Sequence, residues 1–176
     1  MPSFSPRGSL ALIATASMCA LASAATSATA DGRGDPTGVA HAAGVRAACN
    51  GPDVKQLVRD FVAAFNRGSK LRLDGLWARE GFRWYSVTRS SKEHYVAYGR
   101  GKMLRYFAAR HERSEKLALS SFRFNGVGSG YGHFQYTLTR RATDIARGAR
   151  ESYVGKGAAS CTDLGPRLAV WSMGRG

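Results

Sequence analysis

From Val54 onward the apolar residues Val54, Leu57, Val58, Phe61, Val62 and Phe65 recur at i, i+3, i+4, i+7, i+8 and i+11. That spacing is one buried face of a helix with 3.6 residues per turn. Pro52 suits the first helical position after a cap at Asn50 or Gly51, and Gly68 suits the left-handed residue that ends the helix. Ser69 then caps a shorter helix that turns Leu73, Leu76 and Trp77 inward, before Glu80-Gly81 turns the chain. The period drops to 2 at Phe82-Arg83-Trp84-Tyr85-Ser86-Val87, an aromatic and β-branched strand whose alternation sets Phe82, Trp84 and Ser86 on one side. Residues 89–100 are polar without a period and read as a loop. A further helix is predicted near residues 101–114, with Leu104, Phe107, Ala108 and His111 sharing a face.

The last third keeps the strand period. Residues 117–125, 131–141, 151–161 and 167–173 are four strand candidates separated by Gly-rich or Gly/Pro turns, the layout of an antiparallel meander. In the second of them Phe134, Tyr136, Leu138 and Arg140 fall on one face. Gly155 and Gly157 lower strand propensity in the third, and their expected use is sharp sheet curvature or close approach of a helix.

The N-terminus obeys neither period. Residues 1–30 hold one basic residue, Arg7, no acid, and the apolar runs Leu10-Ala11-Leu12-Ile13-Ala14 and Met18-Cys19-Ala20-Leu21-Ala22. Small residues at Ala22-Ser23-Ala24 and Ala28-Thr29-Ala30 offer two cleavage sites, so the segment reads as an export signal. Thr15, Ser17 and Ser23 interrupt it too often for a membrane anchor. Ala16 and Met18 fit a lipoprotein signal at Cys19 poorly. Residues 31–48, rich in Gly, Ala, Asp and Arg, read as a disordered linker, and 49–176 as one domain. The Arg33-Gly34-Asp35 tripeptide within the linker arises readily by chance in such a composition. Secretion, extracellular or periplasmic, follows from the signal. Its loss leaves Cys49 and Cys161, an even pair in an oxidising compartment, for which a disulfide is the simplest outcome. Two isolated cysteines without His at ligand spacing cannot complete a metal shell, and neither a metal nor a cofactor is expected.

Charge then narrows the partners. Lys+Arg number 26 against 12 Asp+Glu, for +14, and removal of residues 1–30 takes away only Arg7. Such a balance favours anionic partners. Arg exceeds Lys by 20 to 6, however, as coding bias alone produces, so the charge by itself identifies no ligand. No nucleic-acid recognition element accompanies it, and a nucleic-acid partner is not expected.

Helices, a strand, a further helix and a meander resemble the nuclear transport factor-like superfamily, which includes ketosteroid isomerases, scytalone dehydratase and SnoaL-like proteins. The resemblance rests on residues 58–68 (VRDFVAAFNRG), Leu76-Trp77-Ala78, Phe82-Arg83-Trp84-Tyr85-Ser86, Arg110-His111, residues 134–140, Gly155-Lys156-Gly157 and Val170-Trp171-Ser172. It covers residues 50–174. It implies an α+β cone, with N-terminal helices packed on a strongly curved antiparallel sheet and a pocket between them. It also implies, in many members, a homodimer made through the sheet's outer face. It does not imply a reaction, because one fold hosts isomerases, dehydratases and plain binders.

The residues must therefore carry the function. An isomerase of this type needs a carboxylate base with a Tyr and a protonated acid as donors, and that set does not map here. Asp74 and Glu80 lie in turn-like sequence. His111 is the candidate general acid or base, since it shares a helical phase with Leu104 and Phe107, although a satisfied structural histidine is the alternative. His94 falls in the loop, and His133 alternates away from Phe134 and Tyr136. Arg140 extends an apolar face, where an inward guanidinium grips a carboxylate or phosphate; an ion pair with Asp144 is the alternative. Lys156 points outward if Cys161 faces Cys49. Trp84, Phe107, His111, Tyr136, Arg140 and Trp171 are the expected pocket residues, around a small amphipathic or anionic ligand. A non-catalytic binding module is thus the expectation, with a lyase or isomerase, or a basic envelope-interaction domain, as alternatives.

Overall fold

Asn50 and Gly68 bracket the first helix as the pattern predicts. In the computed structural model, which describes residues 49–145 and 149–176, α1 spans Gly51–Arg67. The Asn50 side chain accepts from the Asp53 N–H at 2.8 Å, and Gly68 closes the helix at φ 70°. Ser69 caps α2 (Lys70–Leu76). The export signal, Cys19 and the linker lie outside the described residues. Among the described residues no helix is long and apolar enough to cross a membrane.

Among the described residues three helices pack on one six-stranded sheet. After α2 come β1 (Trp84–Thr88), β2 (His94–Ala97), α3 (Arg100–Glu112), β3 (Lys116–Gly128), β4 (Tyr131–Arg141), β5 (Glu151–Thr162) and β6 (Gly165–Arg175). The strand order is β2-β1-β6-β5-β4-β3. The predicted meander is β3 to β6, antiparallel throughout, while β1 joins β6 in parallel and makes the sheet mixed. Register shifts at Leu119/Ser121, Phe124/Gly126 and Ala158/Ala159 insert bulges, which bend strands and sharpen twist. Within residues 89–100, expected as loop, His94–Ala97 pairs with β1 as a four-residue edge strand. So short a strand presents no readable alternation.

The helices cover the inner sheet face, and the space between is filled by rings. Phe61 lies 4.6 Å from Trp171, 5.6 Å from Phe107 and 5.9 Å from Trp77, centroid to centroid. Trp171 stacks on Tyr136 at 4.1 Å, and Phe107 meets Tyr85 edge-on at 5.0 Å. All of these side chains are buried. Gly155 and Gly157 make this possible. They stand opposite Tyr136 and Phe134, and an added Cβ on either would sit 2.3 Å from the ring Cζ. The two glycines thus admit neighbouring aromatic rings, where the sequence suggested curvature or a helix.

Two further ties hold α1 to the sheet. The Asn66 carboxamide donates to the Leu117 carbonyl and accepts from its N–H, both at 2.8 Å, satisfying backbone groups of the edge strand β3. The predicted disulfide joins Cys49, just before α1, to Cys161 near the end of β5, with Cα atoms 5.4 Å apart. For a span of 112 positions, chain entropy assigns it about 4–5 kcal/mol.

Candidate functional site

The strand registers set the sheet's outward side chains in straight cross-strand rows. One row runs Arg123, Gln135, Lys156, Ser172 and Ser86 from β3 across to β1. A parallel row runs His133, Ala158, Val170 and Trp84, and a third runs Ser121, Thr137, Val154 and Gly174. Rows two residues apart on a strand lie about 6.5 Å apart, and neighbouring strands about 4.8 Å. Arg123 and Lys156, two strands apart, therefore stand about 10 Å from each other. Together the rows line an open trough of about 810 Å³ on the outer face of the sheet.

Its chemistry is one-sided. The outward positions of all six strands hold no Asp or Glu, and the single acid in any strand, Glu151, accepts from the Tyr153 hydroxyl at 2.8 Å on the inner face. The central row is cationic and polar; beside it Trp84 is 40 % exposed and Val154 51 %. An indole and aliphatic side chains in water next to unpaired cations suit a ligand with an apolar body and an anionic group. Ser86 and Ser172 satisfy one another by a 2.9 Å hydrogen bond, which keeps the floor of the trough polar but complete.

The interior end of the cone carries the other charged group. Glu115, 1 % exposed, accepts from Arg140 Nε and Nη2, both at 2.7 Å, and from Arg110 Nε. Arg110 turns its two terminal nitrogens onto Asp144, at 2.6 and 2.8 Å, and Arg113 and Arg89 reach the same carboxylate at 2.8 and 3.2 Å. Burial works against both buried guanidinium charges, but the hydrogen bonds that Arg110 donates to Asp144 and Arg140 donates to Glu115, with the negative charge of Glu115, outweigh it and raise each above the ordinary arginine value. Arg110's hydrogen bonds hold the Asp144 carboxyl well below the usual carboxylate range. Burial raises Tyr85 and Tyr136, so both are neutral phenols at any physiological pH.

The expected pocket residues separate accordingly. Phe107, Tyr136 and Trp171 face inward as predicted, but packed against other rings. Tyr136 donates to the Ser172 carbonyl at 3.1 Å. Arg140 is inward and fully buried, yet its partner is Glu115, neither a cavity nor Asp144. Trp84 faces the opposite way: Tyr85 and Val87 take the inner side of β1, so the predicted alternation holds but the side shared by Trp84 and Ser86 is the outer one. His111 is exposed at the end of α3, where the buried face is Met103, Phe107 and Arg110. It lies over Gly68, whose added Cβ would be 2.4 Å from His111 Nε2. The helix is rotated by one position because Arg110, outside the predicted apolar face, turns inward to the buried Glu115 and the partly exposed Asp144. Asp74 is engaged by Arg100 through both its carbonyl and its carboxylate, and Glu80 is exposed. Lys156 points outward, as strand parity with Cys161 predicts, and His133 stands beside it in the trough. Sequence reading missed the trough because it shows only when five strands are in register. It also missed Glu115, a single acid in a helix-to-strand turn. No group of three or more His, Cys, Asp or Glu among the described residues is placed to hold a metal ion.

No protein-family model matches the chain, and neither does any curated protein. Solved structures do. A candidate dehydratase of the NTF2-like family from Streptomyces avermitilis superposes with a TM-score of 0.58 at 18% identity, over 71% of this chain and 94% of that one. An uncharacterised protein with a cystatin-like fold from Caulobacter vibrioides superposes at 0.57 and 14% identity, over 71% and 88%. A candidate aromatic ring hydroxylase from Novosphingobium aromaticivorans does so at 0.56 and 10% identity, over 70% and 87%. At these identities the likeness is one of fold, and the chain has the NTF2-like, cystatin-like α+β fold.

Proposed function

We propose that this chain is an exported, non-catalytic binding module. In this reading the outer sheet trough takes a small amphipathic anion, its apolar body on Trp84 and Val170 and its charge toward Lys156 and Arg123. The observation that carries the reading is the acid-free row Arg123–Gln135–Lys156 beside a half-exposed tryptophan. A trough of about 810 Å³ is within the range of about 300–1,000 Å³ common to small-molecule sites. The cone interior, where the fold's pocket is expected, is occupied by Phe61, Phe107, Trp77 and Trp171, which supports a site elsewhere. Against a lyase or isomerase stands the state of Glu115, the acid buried in the cone, whose two oxygens are taken by guanidinium groups.

A homodimer through the same face is the competing reading. Twofold pairing sets one patch against its own copy. An acid-free patch then opposes cation to cation, so the charge distribution favours an anionic occupant over a second copy. The test is Trp84 emission on titration with octyl sulfate below its micelle concentration, with octyl glucoside as the neutral control. Trp77 and Trp171 are buried, so the solvent-sensitive signal comes from Trp84. Octyl sulfate is expected to bind at least tenfold more tightly than octyl glucoside. Replacing Lys156 and Arg123 by Gln is expected to erase that preference, because a hydrogen bond to a charged group contributes about 1.5–3 kcal/mol. Equal affinity for both amphiphiles would refute the reading.

A further inference from the structure

A second cationic site lies between the β1–β2 hairpin and α3. There a cleft of about 320 Å³ is lined by Arg89, Lys92, Glu93, His94, Tyr106, Arg110 and Arg113. In ion pairs among the described residues, Arg89, Arg110, Arg113 and Arg140 meet Asp144, Glu115 and Glu93, and Lys92, which also lines the cleft, meets none. Two positive charges are left over.

The hydrogen bonding says where they are. A single oxygen of Asp144, Oδ2, receives Arg89, Arg110 and Arg113 at 3.2, 2.6 and 2.8 Å. A carboxylate offers about four acceptor positions over its two oxygens, so three guanidiniums on one of them leave donors unanswered. Arg89 Nε is one such donor: it is out of water and has no hydrogen-bond partner among the described residues, with Glu93 only at ion-pair distance, 3.5 Å. The guanidinium forks of Arg89 and Arg113 and the Lys92 ammonium stand around one small volume, one wall of which is the Tyr106 ring stacked on Tyr95 at 4.1 Å.

We infer that this cleft is a binding site for a phosphate-type oxyanion, free or as a small phosphomonoester. A tetrahedral dianion supplies both the missing charge and several acceptors for planar guanidinium forks. This site is separate from the sheet trough and does not depend on a ligand there.

The experiment is titration calorimetry of the mature chain with inorganic phosphate and with phenyl phosphate, ionic strength being held constant with chloride. Binding of one equivalent is expected. Affinity should fall at least tenfold in Arg89→Gln/Lys92→Gln and remain in Arg123→Gln/Lys156→Gln, the trough variant. If the Arg89 variant does not fold, Lys92→Gln/Arg113→Gln, which changes two exposed side chains, carries the same expectation. Tighter phenyl phosphate would identify the monoester as the preferred form, and equal affinities the free anion. Absence of binding at 10-fold excess over millimolar protein (on the order of a weak, ~1 mM site), undiminished binding in both cleft variants, or loss confined to the trough variant would overturn the proposal.

Discussion

Glu115→Gln keeps the shape of the side chain while removing the only negative charge between two buried arginines. Glu115 is 1 % exposed, Arg140 fully buried and Arg110 4 % exposed, so little solvent reaches the pair. The wild-type carboxylate accepts two bonds from Arg140 at 2.7 Å and one from Arg110. Glutamine retains one carbonyl acceptor and turns an NH₂ donor toward a guanidinium, so at least one charge-assisted bond is lost and a charge stays buried without its partner. Breaking a buried pair on one side costs about 3–5 kcal/mol, and that is the expected loss in urea unfolding at pH 7. The companion variant Glu115→Leu/Arg140→Met removes both charges and keeps volume. It is expected to recover most of the loss, because apolar replacement of a buried pair is often neutral or stabilising. A loss below about 1 kcal/mol for Glu115→Gln, or a double variant no better than the single one, would refute the reasoning.

Gly157→Ala places a methyl group 2.3 Å from the Phe134 ring and 2.9 Å from the Val170 carbonyl, and overpacking of this kind is expected to cost about 1–3 kcal/mol by thermal unfolding. An unchanged melting temperature would contradict the ring-over-glycine packing. Asp144 has a folded pKa below its unfolded value, so its contribution is complete above the ordinary carboxylate value of about 3.9 and is lost as pH falls through the depressed one. Wild-type stability should therefore decline on acidification below about pH 5, and Asp144→Asn should flatten that decline when unfolding is followed from pH 6 to pH 2. Parallel profiles would remove Asp144 from the arginine cluster.

How far the sequence could be read depended on whether a residue's role was local. The α1 face, its caps at Asn50 and Gly68, Ser69 before α2, and the four meander strands all come from periodicity and turn chemistry within a few residues. The disulfide followed from counting cysteines. The errors share one cause. The apolar pattern of α3 leaves Arg110 off the inward face, and the carboxylates that receive it, buried Glu115 and partly exposed Asp144, lie beyond the helix and outside its periodicity; the helix phase, and His111 with it, shifts by one position. In β1 the alternation holds but does not show which side is inner, since Trp84 and Tyr85 are equally good strand aromatics and parallel pairing with β6 puts Tyr85 inside. Arg140 faces inward with the apolar residues of its strand, but a partner in the α3–β3 turn cannot be read from strand alternation. The trough was illegible for a simpler reason: Trp84, Arg123, Lys156 and Val170 are scattered over 87 positions and become neighbours through register alone.

The placement of the binding surface outside a filled cone is tested most directly by amide and indole chemical shifts of the ¹⁵N-labelled protein during titration with octyl sulfate below its micelle concentration. The account predicts saturable shifts at Arg123, Lys156, Val170 and the Trp84 indole, with Phe61, Phe107 and the Trp77 and Trp171 indoles unmoved. Shifts centred on Phe61, Phe107 and Trp171, with Lys156 and Trp84 still, would place the ligand inside the cone and contradict it.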